Sequence, residues 1–473
     1  MRGIVSAAGY VPYNRLQRAR ITEVVGSGGG RGARSVASYD EDTTTMGFEA
    51  GRLALASAPQ DVTVESLWFA TAEPAYAEKT NASAMAAALR LDSSTAALDM
   101  CGAPRCGPGA LRAALEGAGT TLVVSAGVRT GLPSGPDESG GGDGAAAVLV
   151  GDGDVVAEYL GGASVTEEFL DRWRAPGEAA SHQWEERFGE ARYVPVGEQA
   201  WTNALKAAGV SAADVGRVVV TGVHPRAVKS LVRRLGVDPS AVAPDLSDTV
   251  GNTGAAHAAL CLTAVLEDAG AGQVVAVVNL ADGADVVVLR TTDRIGAWSP
   301  ARSVEAQVAA GDDSLAYAKF LSWRGMLDVQ PPNRPEPARY SAPAAARNED
   351  WKFGFVGSRD RASGALHLPP QRVSWKGGAV DDMDPAPMAA TPATIVTFTV
   401  DRLAYSPSPP VVFAVCDFDG GGRLPLELTD VDPATVAIGD RVELTFRRLT
   451  TSADGVHNYF WKARPLPGGG EDS

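Results

Sequence analysis

Val218-Val219-Val220-Thr221-Gly222-Val223-His224-Pro225 is the stretch on which the reading of this chain turns. An apolar, β-branched run predicts a strand, and the histidine falls where that strand gives way to a loop. A second junction follows at Asp248-Thr249-Val250-Gly251-Asn252-Thr253-Gly254-Ala255-Ala256, where an asparagine sits among small residues. Small residues let backbone and ligand approach closely, although Gly-Asn-Thr is also a good turn and helix cap. A histidine and an asparagine at two such points can together hold a thioester carbonyl, which points to acyl-thioester chemistry.

Around these junctions the chain alternates strand-length apolar runs with Ala-rich helical stretches. Ser66–Thr71, Thr121–Ala126, Ala145–Val150, Val274–Asn279 and Asp285–Leu289 read as strands. Met85–Leu91, Gly109–Leu115 and Gly254–Leu266 read as helices. The alternation predicts an α/β domain built on a mostly parallel sheet covered on both faces. Similar junctions recur in two halves, residues 1–160 and 161–310. Residues 311–348 contain Pro331-Pro332-Asn333-Arg334-Pro335-Glu336-Pro337 and read as an extended linker. Thr394–Asp401, Val411–Asp417, Arg441–Arg447 and Asn458–Ala463 predict a small β-barrel within residues 379–466. Residues 467–473 read as a disordered tail.

With 473 residues, 45% hydrophobic and 21% charged, the composition is that of a globular protein. A net charge of -15 argues against non-specific nucleic-acid binding, which needs a basic surface. An anionic substrate such as a coenzyme A thioester would need a local basic patch. Arg226, Lys229, Arg233 and Arg234 could supply one, or could be a solvated helix face. No run approaches the roughly 20 apolar residues of a membrane span. Four cysteines in a chain of this size do not suggest a disulfide framework, and a cytoplasmic location is expected.

Taken together, the ordered segments from the first strand to about residue 300 resemble the 3-hydroxy-3-methylglutaryl-coenzyme A synthase family of the thiolase superfamily. The resemblance implies a duplicated, thiolase-like αβαβα domain. Phe69-Ala70-Thr71-Ala72-Glu73-Pro74 resembles the family strand ending in a catalytic glutamate, which makes Glu73 the expected general acid/base. His224 is then expected to stabilise the thioester oxyanion, and Asn252 to donate to a substrate carbonyl. Gly251, Thr253, Arg226 and Lys229 are expected around the substrate, with His257 structural. Gly142-Asp143-Gly144-Ala145 and Asp282-Gly283-Ala284-Asp285 match family turns that determine the fold.

The family nucleophile is a cysteine five positions after a strand-end acidic residue. Counted from Asp99 that position is Pro104, and Cys106 falls two places later, where a Gly-rich turn enters an Ala/Leu helix. Either a local shift lets Cys106 serve as nucleophile, or the cysteine has been replaced by Pro104. Cys101, Cys261 and Cys416 read as buried.

Leu321-Ser322-Trp323-Arg324-Gly325 and Trp351-Lys352-Phe353-Gly354-Phe355-Val356-Gly357-Ser358-Arg359 resemble a module that pairs a rubredoxin-like zinc ribbon with an acyl-coenzyme-A-associated OB-fold. The ribbon would span residues 349–378. Its two Cys-x-x-Cys knuckles read Asp360-Arg361-Ala362-Ser363 and Ser374-Trp375-Lys376-Gly377, so no zinc is expected, and His367 alone does not restore a site. Aromatic packing by Trp351, Phe353, Phe355 and Trp375 is expected to hold the remnant.

The leading expectation is an acyl-coenzyme-A-dependent, C–C bond-forming acyltransferase that works through a Cys106 acyl-enzyme supported by Glu73, His224 and Asn252. A Cys-independent aldolase and a non-catalytic acyl-coenzyme-A-binding scaffold are the alternatives. The expected partners are an acyl-coenzyme A or acyl-carrier-protein thioester and a second copy of the chain. No further cofactor, nucleic acid or membrane is expected.

Overall fold

A computed structural model describes residues 1–466; the expected disordered tail, residues 467–473, lies outside the described residues. The chain folds into two compact units. The first comprises Met1–Ser38, Asp42–Ser83 and Asp92–Arg324; the second comprises Tyr39–Glu41, Ala84–Leu91 and the chain from Gly325.

The first unit is built on a nine-stranded sheet. Its strands are β1 (Arg2–Tyr10), β2 (Ser66–Thr71), β3 (Ala96–Cys101), β4 (Thr121–Val128), β5 (Asp143–Asp152), β6 (Ala157–Val165), β7 (Val215–Gly222), β8 (Val274–Leu280) and β9 (Ala284–Thr291). Their order in the sheet is β7-β8-β9-β6-β1-β5-β4-β2-β3. The sheet is mixed rather than mostly parallel. Only β7–β8, β2–β3 and β2–β4 are parallel. The turn Ala281-Asp282-Gly283 between β8 and β9 is too short for a crossover, so those strands must run antiparallel. Residue 160, the expected boundary between halves, lies inside β6, which pairs with both β1 and β9.

Helices form three layers around this sheet. Helix α1 (Thr43–Ala56) covers β1, β4 and β5 from outside. Helices α2 (Cys106–Glu116) and α5 (His257–Glu267) lie between the β5 side and the β7–β9 side. Helices α3 (Glu186–Ala208) and α4 (Pro225–Val232) cover the other outer face. The alternation along β8 reflects this layering. Val275 and Val277 pack with Leu260 and Leu266 of the central layer. Val274, Ala276, Val278 and Leu280 pack with Tyr193, Trp201 and Leu231 outside. A strand apolar on both faces must be covered on both.

The linker begins later than expected. Tyr317–Trp323 is helical, and Tyr317 and Phe320 are buried with Leu16, Ile21 and Val36 of the first unit. These large apolar side chains gain more by burial than a solvated linker could offer.

The second unit contains a three-stranded sheet of β10 (Val356–Asp360), β11 (Leu366–His367) and β12 (Met383–Pro387). It also contains a closed barrel of β13 (Ala393–Asp401), β14 (Val411–Phe418), β15 (Arg423–Leu428), β16 (Arg441–Thr451) and β17 (His457–Pro465), in the order β13-β14-β15-β17-β16. Phe355 is fully buried, with its ring 4.9 Å from Trp351 and 5.8 Å from Trp461. Trp375 does not join them: it is 74% exposed. Its backbone N–H instead donates to His367 Nε2 at 3.2 Å, which fixes the turn and leaves the indole outside. At the knuckle positions, Asp360 accepts from Ser363 Oγ and from the Ala362 N–H at 2.9 Å. These bonds, with a further one from Ser374, hold the Asp360 carboxyl down at about 2.

Candidate active site

Glu73 follows β2, with its backbone pinned at both ends. Its N–H donates to Thr71 Oγ1 at 3.1 Å, and its carbonyl accepts from Thr43 Oγ1 at 2.8 Å. The side chain is 16% exposed and faces two guanidinium groups. Arg174 Nη2 donates to Oε1 at 3.2 Å, and Arg129 Nη1 approaches the same oxygen at 3.9 Å. Oε2 is buried without a hydrogen-bond partner. Burial raises the Glu73 carboxyl above the usual carboxylate range; Arg129 and Arg174 oppose the rise and Asp143 adds to it. A carboxyl so placed can take and return a proton.

The Gly-Asn-Thr segment reaches this carboxyl from the far half of the unit. Asn252 is a tie between segments. Its Nδ2 donates to Gly222 O at 2.8 Å, at the end of β7, and its Oδ1 accepts from the Gly254 N–H at 2.9 Å. Its own N–H donates to Gly140 O at 2.9 Å. Gly251 has φ +87°, and a methyl there would meet Gly141 O at 2.3 Å, so only glycine fits. Thr253 is fully buried; a methyl at Gly127 would lie 2.2 Å from Thr253 O and 3.9 Å from Glu73 Oε2. Gly127 therefore admits the loop beside the carboxyl. Gly107 does the same for α2, where a methyl would meet Ala255 O at 1.9 Å.

His224 caps helix α4. Its Nδ1 accepts from the Ala227 N–H at 3.1 Å, and its Nε2 lies 3.0 Å from Glu186 O. An N–H facing Nδ1 and a carbonyl facing Nε2 place the ring hydrogen on Nε2. Both nitrogens of this buried ring are thereby spent, and neither is left to meet a thioester oxygen. Arg226 is spent as well, on Glu190 Oε2 at 2.5 Å and Glu186 Oε2 at 3.5 Å. Lys229 is exposed on the same helix.

Cys106 is the first residue of α2, two positions beyond Pro104. It shares a helix face with Gly109, Ala113 and Glu116 and lines an open cleft of about 490 Å³ with Cys101, Arg105, Ser164 and Asp285. Gly107, Ala110 and Ala114, buried toward the core, form the other face. Burial pushes the Cys106 thiol up to about 12, with Cys101 and Glu73 adding to the rise. The N–H groups of Gly107 and Cys106 at the helix start oppose the rise. Cys101, read from the sequence as buried, is exposed. It ends β3, which pairs on one side only, so its side chain lies at the sheet edge. Cys261 and Cys416 are buried.

Asp143 holds the arrangement from beneath. The fully buried carboxylate accepts from the Arg129 N–H at 2.8 Å and the Ala37 N–H at 2.7 Å. It also pairs with Arg34 at 3.2 Å and with Arg324. Arg105 closes the last Gly-rich turn, donating to Asp285 Oδ2 and to Asp282 O, each at 2.7 Å. The sequence reading missed Arg129, Arg174 and the buried, unpartnered carboxyl of Asp171. A signal was present in Asp171-Arg172-Trp173-Arg174, where charged and aromatic residues crowd into a short segment.

Comparison with known proteins places this geometry. Residues 205–289 match the family described as 3-oxoacyl-[acyl-carrier-protein (ACP)] synthase III C terminal. Residues 388–447 match the family described as ChsH2, C-terminal OB-fold domain. A hydroxymethylglutaryl-CoA synthase of Methanopyrus kandleri is 30% identical over 311 residues, 62% of this chain and 88% of that protein. One from Methanosphaera stadtmanae is 26% identical over 70% of this chain and 100% of its own length. A crystal structure of HMG-CoA synthase complexed with CoA aligns with a TM-score of 0.58 at 16% identity, covering 68% of this chain and 89% of that one. The synthase III structure from Pseudomonas aeruginosa aligns with a TM-score of 0.54 at 20% identity, covering 62% of this chain and 98% of that one. The fold is that of the thiolase superfamily, with an OB-fold domain at its C-terminal end. Within it, the chain belongs to the hydroxymethylglutaryl-CoA synthase family.

Proposed function

We propose that the chain makes or breaks carbon–carbon bonds on coenzyme A thioesters, with Glu73 as the acid/base and without an acyl-cysteine. The observation that carries this reading is the contrast between Glu73 and Cys106. The carboxyl is poised to exchange a proton and keeps Oε2 free. The thiol is held neutral and lines an open cleft.

In the condensing direction the Glu73 carboxylate removes the α-proton of one thioester. The resulting enolate carbon attacks the carbonyl carbon of the acceptor, and the C=O π pair becomes an alkoxide. The Glu73 carboxylic acid then returns its proton to that alkoxide, so no group leaves and the residue is reset. Reversal cleaves the same bond. Asn252 spends one amide N–H on Gly222 and offers the other to the thioester oxygen. His224 supports α4 rather than the oxyanion. The thioester is carried on coenzyme A or on an acyl carrier protein, and the active form is a homodimer.

Hydrogen–deuterium exchange at the methyl group of acetyl-coenzyme A in D₂O, followed by NMR, tests the proton step. Wild type and Cys106→Ala are expected to exchange at similar rates. Glu73→Gln is expected to lose about 10²–10⁴-fold, the range for removing a general base. Intact-mass analysis is run on the same samples. An acetyl adduct that disappears in Cys106→Ala together with the exchange would refute the proposal.

A further inference from the structure

Residues Tyr39–Glu41 belong to the second unit, although the chain on either side of them belongs to the first. Charged side chains of the barrel hold this short segment. Arg447 of β16 is fully buried, with Nη1 2.7 Å from Glu41 Oε1 and 3.5 Å from Asp40 Oδ1. Lys462 of β17, also fully buried, lies 3.0 Å from Asp40 Oδ2. Thr429, just after β15, donates Oγ1 to the same oxygen at 3.0 Å. The backbone of the segment is held as well. The Arg448 N–H donates to Asp40 O and Arg448 Nη2 donates to Tyr39 O, each at 2.9 Å. Burial works against the Lys462 ammonium, yet Asp40, Tyr39 and Glu427 hold it above the usual lysine range. Replacing a buried ion pair by apolar side chains of the same volume is often no less stable. Such a network therefore points to a fixed geometry rather than to stability. The geometry fixed here is the entry to α1. Asp42 follows directly and caps the helix by accepting the Thr45 N–H at 3.0 Å. Thr43, the first residue of α1, donates Oγ1 to Glu73 O at 2.8 Å. Glu41 thus stands two residues before the hydroxyl that pins Glu73.

We infer that the clamp formed by β16 and β17 positions the acid/base, with Asp40, Glu41 and Arg448 acting on the reaction through Thr43 and Glu73. This inference rests on the reading of Glu73 as the acid/base. Asp40, Glu41 and Arg448 are positioning residues, and Thr43 is the group that relays their hold. With its carbonyl tied to Thr43 and its N–H to Thr71, Glu73 presents Oε2 from one place. Loosening residues 39–42 lets the Thr43 hydroxyl drift. A misplacement of about 1 Å at a reacting group can cost about 100-fold in rate. The loss falls on the proton step, because Thr43 holds the backbone of Glu73 and not the Asn252 loop.

The test follows methyl exchange of acetyl-coenzyme A in D₂O over a range of concentrations, on the full chain. Asp40→Asn removes the buried charge and keeps the shape. Arg448→Met removes the bond to Tyr39 O and leaves the buried pairs in place, so it reads the clamp if Asp40→Asn does not fold. Thr43→Val removes the hydroxyl at nearly constant shape. Each variant is expected to lower the saturated rate about tenfold and to keep the half-saturating concentration within about twofold. Arg448 and Thr43 lie on one path, so their losses are not expected to multiply. The double variant Arg448→Met/Thr43→Val is expected to be at most about twofold slower than the slower single variant. A saturated rate in Arg448→Met within about twofold of wild type would overturn the inference. Losses that multiply in the double variant would do the same, since they mark two independent effects. Glu73→Gln separates the two readings. Exchange that it abolishes and that Arg448→Met leaves untouched sinks the clamp and spares the acid/base. Exchange that survives Glu73→Gln sinks both.

Discussion

Replacing Asn252 by aspartate or alanine tests whether its amide holds the site together. The amide makes two bonds, Nδ2 to Gly222 O at 2.8 Å and Oδ1 from the Gly254 N–H at 2.9 Å. Alanine removes both and leaves a carbonyl and an N–H without these partners. At about 1 kcal/mol per lost bond, plus a share of the desolvation cost, the loss is about 2–3 kcal/mol. For a unit of this size that lowers the thermal midpoint by about 3–5 °C. Aspartate keeps the acceptor toward Gly254 but turns a second oxygen toward Gly222 O. Ionised, it repels that carbonyl; protonated, it donates to it. Its folded pKa is therefore raised, and the stability it contributes is present at low pH and lost as pH rises through that value. Thermal unfolding of wild type, Asn252→Ala and Asn252→Asp at pH 5 and pH 8 separates the cases. The aspartate variant is expected to approach wild type at pH 5 and to fall toward or below the alanine variant at pH 8. An alanine variant within 1 °C of wild type would refute the reasoning, and so would an aspartate variant whose difference from wild type does not change with pH.

A methyl at Gly107 would sit 1.9 Å from Ala255 O, so Gly107→Ala must part α2 from the Asn252 loop by about 1.5 Å. It is expected to cost about 1–3 kcal/mol in denaturant unfolding and most of the methyl exchange, while Gly109→Ala, which meets nothing within 4 Å, is silent. Burial raises the Glu267 carboxyl from 4.5 to about 7 while it accepts the Val304 N–H. Its stabilising contribution is full below pH 4.5 and lost as pH rises through about 7. Glu267→Gln is therefore expected to match wild type at pH 5 and to exceed it by about 1–2 kcal/mol at pH 8, after discounting for solvent screening. Asp360→Ala removes the acceptor for Ser363 and Ala362, and is expected to speed amide exchange across residues 356–387 without moving the unfolding midpoint of the first unit.

What the sequence made legible was local, and what it hid was the direction in which side chains point. Val218–Thr221 reads as a strand because its residues favour a pleated, two-sided surface, and the structure places it in β7. The same pattern cannot say where the imbidazole after it turns. His224 depends on Glu186, the first residue of a helix 38 positions earlier in the chain. Glu73 and Arg174 meet across 101 positions, so no periodicity links them. Cys106 is different, because its local setting was readable. A helix returns to the same face every three or four residues. Counting from Cys106 reaches Gly109, Ala113 and Glu116 on a small and polar face and Ala110 on the apolar face, which also holds Gly107, Leu111 and Ala114. Cys106 therefore sits at the border of the two faces, packed against the core and lining the open cleft. A nucleophile at the family position would precede α2 by two residues, and that position holds Pro104, which has neither a thiol nor an N–H to donate. The proposed chemistry rests on Glu73 and the Asn252 loop, each fixed by hydrogen bonds that do not involve position 104.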